Sequence, residues 1–283
     1  MKSTITSRRI GRRLTLLGAA VALAATVAPA ATAAESPAAA PASASHSKPA
    51  VKPTVVLVHG AWADGSSWGD VVTRLQHDGY TVAVPPNPLR GVVLDSSYLA
   101  DYLKTISGPI VLVGHSYGGF VITNAATGNP NVKALVYVDA YLPAEGDTLN
   151  SLTAKFPGSK VSPDALNFVP LSDGAVDVYI KPAQFRDILA NDLPARQAAE
   201  LAATQRPLVA SALDERSGAP AWTTIPSWDV IGLADHALPA ATQQFMAKRA
   251  GSTVTTINAS HLSMLSHPGT VEHVIEDAAR HAS

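Results

Sequence analysis

Cysteine is absent from this chain of 283 residues, which excludes disulfide bonds, thiolate metal sites and a cysteine nucleophile. Charged residues are also scarce, at 15% of the chain, and the formal net charge is only -1. This balance provides no basic surface for nucleic acid and no strong attraction to an anionic membrane. The composition therefore favours a small, uncharged molecule as the partner of this protein.

Aromatic residues make up only 6% of the chain, but the hydrophobic residues together reach 47%. That fraction is enough for one large core, while the length is short for two separate domains. Residues 34–52 are rich in Ala, Pro and Ser and cannot bury much apolar surface, so we predict a flexible spacer there. Residues 53–283 are predicted to form a single domain.

Residues 1–33 have the features of a signal peptide. Arginines within residues 8–13 precede the uncharged stretch 14–28, and small residues at 31–33 match a cleavage site. Ser7-Arg8-Arg9 resembles the start of a twin-arginine signal, so both general and twin-arginine export fit. An uncleaved signal anchor is the alternative, but the apolar stretch is short and ends in small residues. We expect a secreted, extracellular protein with no stable membrane association after cleavage.

Short, continuous apolar runs alternate with helix-compatible segments after residue 53, as is typical of a parallel sheet covered on both faces. The runs are residues 54–58, 81–84, 110–113, 134–138, 228–231 and 254–257. We therefore predict an α/β fold with a mostly parallel six-stranded sheet and helices on both faces.

One long segment, about residues 142–221, interrupts this alternation. It contains no strand-like run and is broken by prolines, with helical periodicity in places. A stretch of this length is too long for a connecting loop in a compact domain. We predict an inserted, mainly helical cap that covers the functional site.

The sharpest local motif is Gly-x-Ser-x-Gly at residues 114–118, between an apolar strand and a helix. A serine on such a tight turn needs neighbours without side chains, because the strand end and the helix start approach each other closely. The turn also places Ser116 at a helix N-terminus, where negative charge on a substrate is stabilised. Ser116 is therefore the predicted nucleophile.

A serine hydroxyl needs a base to remove its proton, and the base in turn needs a carboxylate to orient it. In this kind of fold both groups follow later strands, in the chain order serine, acid, histidine. His261 follows the last predicted strand and is the predicted base, with His115, beside the nucleophile, as the less favourable alternative. Asp235 follows the preceding strand and is the predicted acid, although Asp139 also ends a strand.

Two backbone N–H groups are expected to bind the negative oxygen that forms during acyl transfer. Tyr117 provides one of them, directly after the nucleophile. Ala61 provides the second, from the loop after the first strand, where Gly60 lets the backbone turn. Four aromatic residues are further candidates for an apolar substrate pocket: Trp62, Trp68, Phe120 and Trp222.

These motifs resemble those of the α/β-hydrolase branch that contains plant methyl esterases of the salicylate-binding type, hydroxynitrile lyases and bacterial secreted esterases. The resemblance covers about residues 53–283. It rests on the His-Gly strand end at residues 55–62, the serine turn, Asp235 with Pro239, and above all His-x-x-Met-Leu-Ser-x-Pro at residues 261–268. It implies a Ser-His-Asp triad of Ser116, Asp235 and His261, which favours Asp235 over Asp139.

The resemblance also bears on the reaction. Hydroxynitrile lyases carry a lysine directly after the catalytic histidine, where this chain has Leu262, and a threonine where it has Gly60. We therefore expect hydrolysis of small carboxylic esters through an acyl-enzyme, with no metal and no organic cofactor. Two alternatives stay open: a cofactor-free perhydrolase or haloperoxidase that uses the same triad, and a ligand-binding protein without turnover.

Overall fold

A computed structural model describes residues 52–282. Its main sheet has six strands, and neighbouring strands are parallel. The strands, in chain order, are β1 (Thr54–Val58), β2 (Val82–Ala83), β3 (Ile110–His115), β4 (Val132–Val138), β8 (Ser227–Gly232) and β9 (Thr253–Ile257). Their order across the sheet is β2-β1-β3-β4-β8-β9. The predicted six-stranded parallel sheet is confirmed.

Helices cover both faces of this sheet. Every residue of the central strand β3 is therefore buried. The helices of the main domain are α1 (Gly69–His77), α2 (Val92–Lys104), α3 (Gly118–Ala125), α7 (Ala240–Ala250), α8 (Ser263–Ser266) and α9 (Pro268–Ala282). Helices α3 and α9 both pack on β3 and β4, while α2 packs on α3 and α1 packs on α9. Apolar residues recur along one side of α9 (Val271, Val274, Ile275 and Ala278), and all four are buried in the core.

The segment between β4 and β8 forms the cap, and its structure differs in part from the prediction. It contains α4 (Leu149–Thr153), α5 (Pro182–Leu189), α6 (Ala195–Thr204), β5 (Leu166–Pro170), β6 (Val176–Ile180) and β7 (Leu208–Val209). The three strands form an antiparallel sheet in the order β5-β6-β7. The expectation of no strand in this segment is therefore wrong. The strands are short, and four of the five residues of β5 are exposed, so no apolar run marks them.

The carboxyl ends of β1, β3, β8 and β9 determine where the functional loops lie, because parallel strands end at one edge of the sheet. The predictions for residues 1–33 and for almost all of the spacer 34–52 lie outside the described residues. Across residues 52–282, no helix is long and apolar enough to cross a bilayer. In the same range, no group of three or more His, Asp or Glu side chains is arranged to hold a metal ion.

Candidate active site

Ser116 lies on a tight turn between β3 and α3 and has a positive φ of 52°. This conformation is uncommon for a residue with a side chain, and it lifts the hydroxyl away from the strand. The turn requires glycine at position 114, because a Cβ there would be only 2.7 Å from the carbonyl oxygen of Gly118. Ser116 is 5% exposed and lies on the wall of a cavity.

His261 and Asp235 meet Ser116 at the carboxyl edge of the sheet. The Nε2 atom of His261 is 2.7 Å from the Oγ atom of Ser116. Its Nδ1 atom is 2.7 Å from Oδ2 of Asp235. The structure thus brings the three predicted residues together in one hydrogen-bonded chain, although they are far apart in sequence.

Asp235 forms hydrogen bonds with other groups in addition to His261. Its Oδ1 atom accepts hydrogen bonds from the backbone N–H groups of Ala237 and Leu238, both at 2.8 Å. Its Oδ2 atom also accepts a hydrogen bond from Nε2 of Gln243, at 2.9 Å. Gln243 was not predicted from the sequence, because a glutamine in the first turn of a helix carries no distinguishing pattern.

The electrostatic surroundings favour the protonated form of His261. Burial lowers the pKa of this imidazole, but the charge and hydrogen bond of Asp235, with a further contribution from the charge of Asp139, outweigh it and raise the pKa above 6.5. The same arrangement fixes the neutral ring with its proton on Nδ1, facing Asp235. Nε2 is then free to accept the proton of Ser116.

Asp139, the alternative acid, does not contact His261 by a hydrogen bond. Its two carboxylate oxygens accept bonds from the backbone N–H groups of Gly232, at 2.8 Å, and Ser263, at 3.2 Å. It therefore joins the ends of the loops that carry Asp235 and His261. Burial, together with the charge of Asp235, raises the pKa of Asp139 to about 8.

His115, the alternative base, directs its hydrogen bond to the backbone of His261. Its Nε2 atom is 2.8 Å from the backbone carbonyl oxygen of His261, to which the ring donates. Burial lowers the pKa of His115 well below its ordinary value, so the ring is neutral. His115 therefore supports the backbone of His261.

The two predicted oxyanion donors, Ala61 and Tyr117, lie on the same cavity as Ser116 and His261. The peptide between Gly60 and Ala61 is oriented by His59, whose Nδ1 atom is 2.9 Å from the Gly60 carbonyl oxygen. Because a trans peptide directs its C=O and N–H in opposite directions, this bond also sets the direction of the Ala61 N–H. The Nε2 atom of His59 accepts a bond from the backbone N–H of Asn87, which fixes the tautomer.

Two aspartates that were not predicted hold neighbouring parts of the site. Asp95 of α2 is buried and accepts a hydrogen bond of 2.7 Å from the phenol of Tyr117. Asp192 of the cap accepts bonds from both the backbone N–H and the hydroxyl of Ser260, the residue before His261. Both contacts join distant segments, which is why sequence spacing gave no sign of them.

A cavity of about 280 Å³ lies between these groups and the cap. Its wall includes Trp62, Tyr141, Leu149, Val161, Leu166, Phe168, Leu208 and Leu213, with Asn150, Thr153 and Ser162 as polar members. Of the four predicted aromatic candidates, Trp62 lies on this wall. Trp68 and Phe120 are buried in the core, and Trp222 donates its indole N–H to the carbonyl of Pro143.

The fold and the site geometry define an α/β hydrolase with a Ser-His-Asp arrangement. The model of the alpha/beta hydrolase family matches residues 55–274, and this chain belongs to that family. The predicted resemblance is confirmed at this level.

Named relatives extend the comparison. Over 121 residues, the chain is 37% identical to a carbendazim hydrolyzing esterase from a Nocardioides species, a stretch that covers 38% of this chain and 50% of that protein. Over 253 residues, it is 27% identical to a pyrethroid hydrolase from Sphingobium wenxiniae, covering 80% of this chain and 87% of the relative. These relatives are named as an esterase and a hydrolase.

Solved structures give a similar result for the fold. An extracellular α/β-hydrolase from a Paenibacillus species, described as sharing homology with tobacco salicylic acid binding protein 2, matches with a TM-score of 0.66 and 23% identity. That match covers 81% of this chain and 99% of the other. Polyneuridine aldehyde esterase matches with a TM-score of 0.69 and 18% identity, over 80% of this chain and 99% of the other. At these identities the likeness shows the fold.

Proposed function

We propose that this protein is a secreted serine esterase that hydrolyses small, uncharged carboxylic esters through an acyl-enzyme. The observation that carries the proposal is the hydrogen-bonded chain from Ser116 through His261 to Asp235, with both links at 2.7 Å, on the wall of an apolar cavity. The relatives named as an esterase and as a hydrolase support the same class of reaction.

In the first half of the reaction, the Oγ atom of Ser116 attacks the ester carbonyl while Nε2 of His261 takes its proton. The carbonyl oxygen becomes negative and is bound by the N–H groups of Ala61 and Tyr117. Such donors are each worth on the order of 3 kcal/mol in the transition state. The protonated His261, stabilised by Asp235, then gives its proton to the departing alkoxide, and the acyl group stays on Ser116.

In the second half, His261 removes a proton from a water molecule, and the resulting hydroxide attacks the acyl carbon. The carboxylic acid leaves as the proton returns from His261 to Ser116. The site is then regenerated with the same number of protons as before. Every proton transfer in this cycle passes through Nε2 of His261. This atom forms its hydrogen bond to Ser116, to the leaving alcohol or to the attacking water.

The walls of the cavity favour an uncharged substrate. Apart from His261, none of the described residues on the wall has an ionisable side chain that is charged near neutral pH. A charged group entering this cavity would lose its hydration without gaining a partner. The apolar residues of the cap are suited to an alkyl or aryl group beside the ester.

Secretion is the part of the proposal that rests on residues 1–33. The basic, apolar and small-residue regions of this segment support it, and one matched structure is described as an extracellular hydrolase. Expression of the full chain followed by N-terminal sequencing of protein in the medium tests it. A mature N-terminus near residue 34 is expected, whereas full-length protein retained with the cells contradicts secretion.

The test of the activity is hydrolysis of p-nitrophenyl esters of increasing acyl length by residues 34–283 and by Ser116→Ala. We expect measurable turnover that falls by at least about 10⁴-fold in the variant. Ser97→Ala is the matched control, because Ser97 is exposed on α2 and lies off the cavity wall. Activity that survives in Ser116→Ala contradicts the proposal.

A further inference from the structure

The loop after β1, which carries the proposed oxyanion donor Ala61, is held by the cap at two points, and both involve Trp62. The backbone N–H of Trp62 donates to the carbonyl of Arg206, at 3.0 Å. The indole Nε1–H donates to the carbonyl of Val178 in β6, at 2.9 Å. Trp62 directly follows Ala61, the proposed oxyanion donor, so these bonds fix the residue next to that donor.

The backbone of Trp62 supports this interpretation. Its φ is 59°, a left-handed conformation that is costly for a bulky residue. Such a conformation persists where surrounding contacts fix it, and it is concentrated at functional sites. The side chain is 8% exposed, with its ring on the cavity wall and its N–H directed into the cap.

The two acceptors lie on segments of the cap that hydrogen bonds link to each other. The side chain of Gln205 pairs with both backbone groups of Ile180, accepting from its N–H at 2.9 Å and donating to its carbonyl at 3.0 Å. Gln205 thereby fastens the segment that contains Arg206 to strand β6, which contains Val178. The position of this strand therefore bears on both bonds of Trp62.

The other donor, Tyr117, is tied to the same part of the cap by a longer route. Its phenol donates to Asp95, which also accepts from the backbone N–H of Arg90. The guanidinium of Arg90 donates to Asp177 of β6 at 2.7 Å. Both proposed donors are therefore attached to residues 177–178 of one cap strand.

We propose that Trp62 is a positioning residue through which the cap sheet fixes the Ala61 N–H in the oxyanion hole. The inference rests on the proposed function, because it concerns a donor that matters during acyl transfer. It implies that the cap contributes to the rate of the chemical step as well as forming the wall of the cavity. The indole N–H holds this loop to β6, which an aromatic ring without a hydrogen-bond donor does not do.

The test is Trp62→Phe, which keeps an aromatic ring on the wall and removes the indole donor. We expect kcat for a p-nitrophenyl ester to fall by about tenfold to a hundredfold, below the full loss of an oxyanion donor, while KM changes by less than about threefold. Inhibition by an aryl trifluoromethyl ketone, which places an oxyanion in the hole, should weaken by the same factor as kcat. Trp222→Phe is the matched control, because it also deletes one indole bond to a carbonyl, that of Pro143, away from the cavity.

A second variant tests the inference without altering the cavity wall. Gln205→Met removes the bonds to Ile180 and should lower kcat and ketone affinity together by a smaller factor, again with little change in KM. An unchanged kcat in Trp62→Phe, a rise in KM alone, or an equal loss of kcat in Trp222→Phe would overturn the inference. Absence of turnover in the unaltered protein would instead overturn the proposed function, so the two failures are distinguishable.

Discussion

Replacing Asp235 by Asn removes one charge and changes little else in the shape of the site. The new side chain has one orientation that satisfies the surrounding backbone. Its oxygen must face the N–H groups of Ala237 and Leu238, because the reverse orientation would leave two buried donors unpaired, at about 1–3 kcal/mol each. The NH₂ group of the asparagine then faces His261 and Nε2 of Gln243, which loses this acceptor but keeps its bond to the Leu238 carbonyl.

This orientation reverses the tautomer of the base. With an NH₂ group opposite, Nδ1 of His261 must accept a hydrogen bond, so the ring proton moves to Nε2 and faces Ser116. Nε2 then cannot take the serine proton. Loss of the correct tautomer in triads of this kind lowers kcat by about 10⁴-fold, which corresponds to about 5.4 kcal/mol in the activation free energy.

The assay is the pH dependence of kcat/KM for a p-nitrophenyl ester, with Asp139→Asn as the control. Asp139 is a second buried carboxyl group near His261, but it binds only backbone N–H groups, so its variant should lose less than about tenfold. The acid limb should also move to lower pH in Asp235→Asn, because the largest influence that raises the pKa of His261 is gone. A loss in Asp139→Asn as large as that in Asp235→Asn would refute the assignment of the acid.

Three further predictions concern the pH dependence of activity, the pH dependence of stability and the space around Ser116. In the unaltered protein, kcat/KM should fall with decreasing pH through a pKa above 6.5, because only neutral His261 can act as base; a profile that is flat from pH 5 to 8 would contradict this. Asp229 is fully buried with both carboxylate oxygens unpaired within the described chain, and burial raises its pKa well above 3.8. The folded protein therefore retains a proton that the unfolded chain releases, and stability falls as pH rises above about 4. Asp229→Asn should raise Tm more at pH 8 than at pH 5, and a gain independent of pH would count against the argument. Gly60→Ala would place a Cβ 2.7 Å from that of Ser116, so we expect at least about a 10²-fold loss of kcat, whereas Gly69→Ala, with nothing within 4 Å of the added atom, should be as active as the unaltered protein.

The sequence predicted those parts of the site that are marked by a short local motif or by a fixed order of residues along the chain. The glycine pattern around Ser116 depends on contacts within a few residues, and the strand order of the fold restricts where an acid and a base can follow. His261 could therefore be selected from among the histidines, whereas the choice of Asp235 over Asp139 rested on the family resemblance. The central strands of the main sheet, β1, β3, β4 and β8, are equally visible, because burial on both faces requires continuous apolar runs.

The parts that the sequence did not predict depend on contacts between distant segments. The indole bond of Trp62 crosses 116 positions to reach Val178, and the bond from Ser260 crosses 68 positions to reach Asp192. The cap strands were missed for a related reason. They are short, β5 is mostly exposed, and polar residues interrupt β5 and β6, so their pairing is decided by neighbours and leaves no long apolar run in the sequence.

The most direct test of the account is covalent labelling by a fluorophosphonate, with the modified residue located by peptide mass spectrometry. Only a serine hydroxyl activated by an adjacent base reacts readily with such a probe. We predict one adduct per chain, on Ser116, with esterase activity lost in proportion to labelling. An adduct on another residue, or full activity after complete labelling, would contradict the claim that Ser116 is the nucleophile.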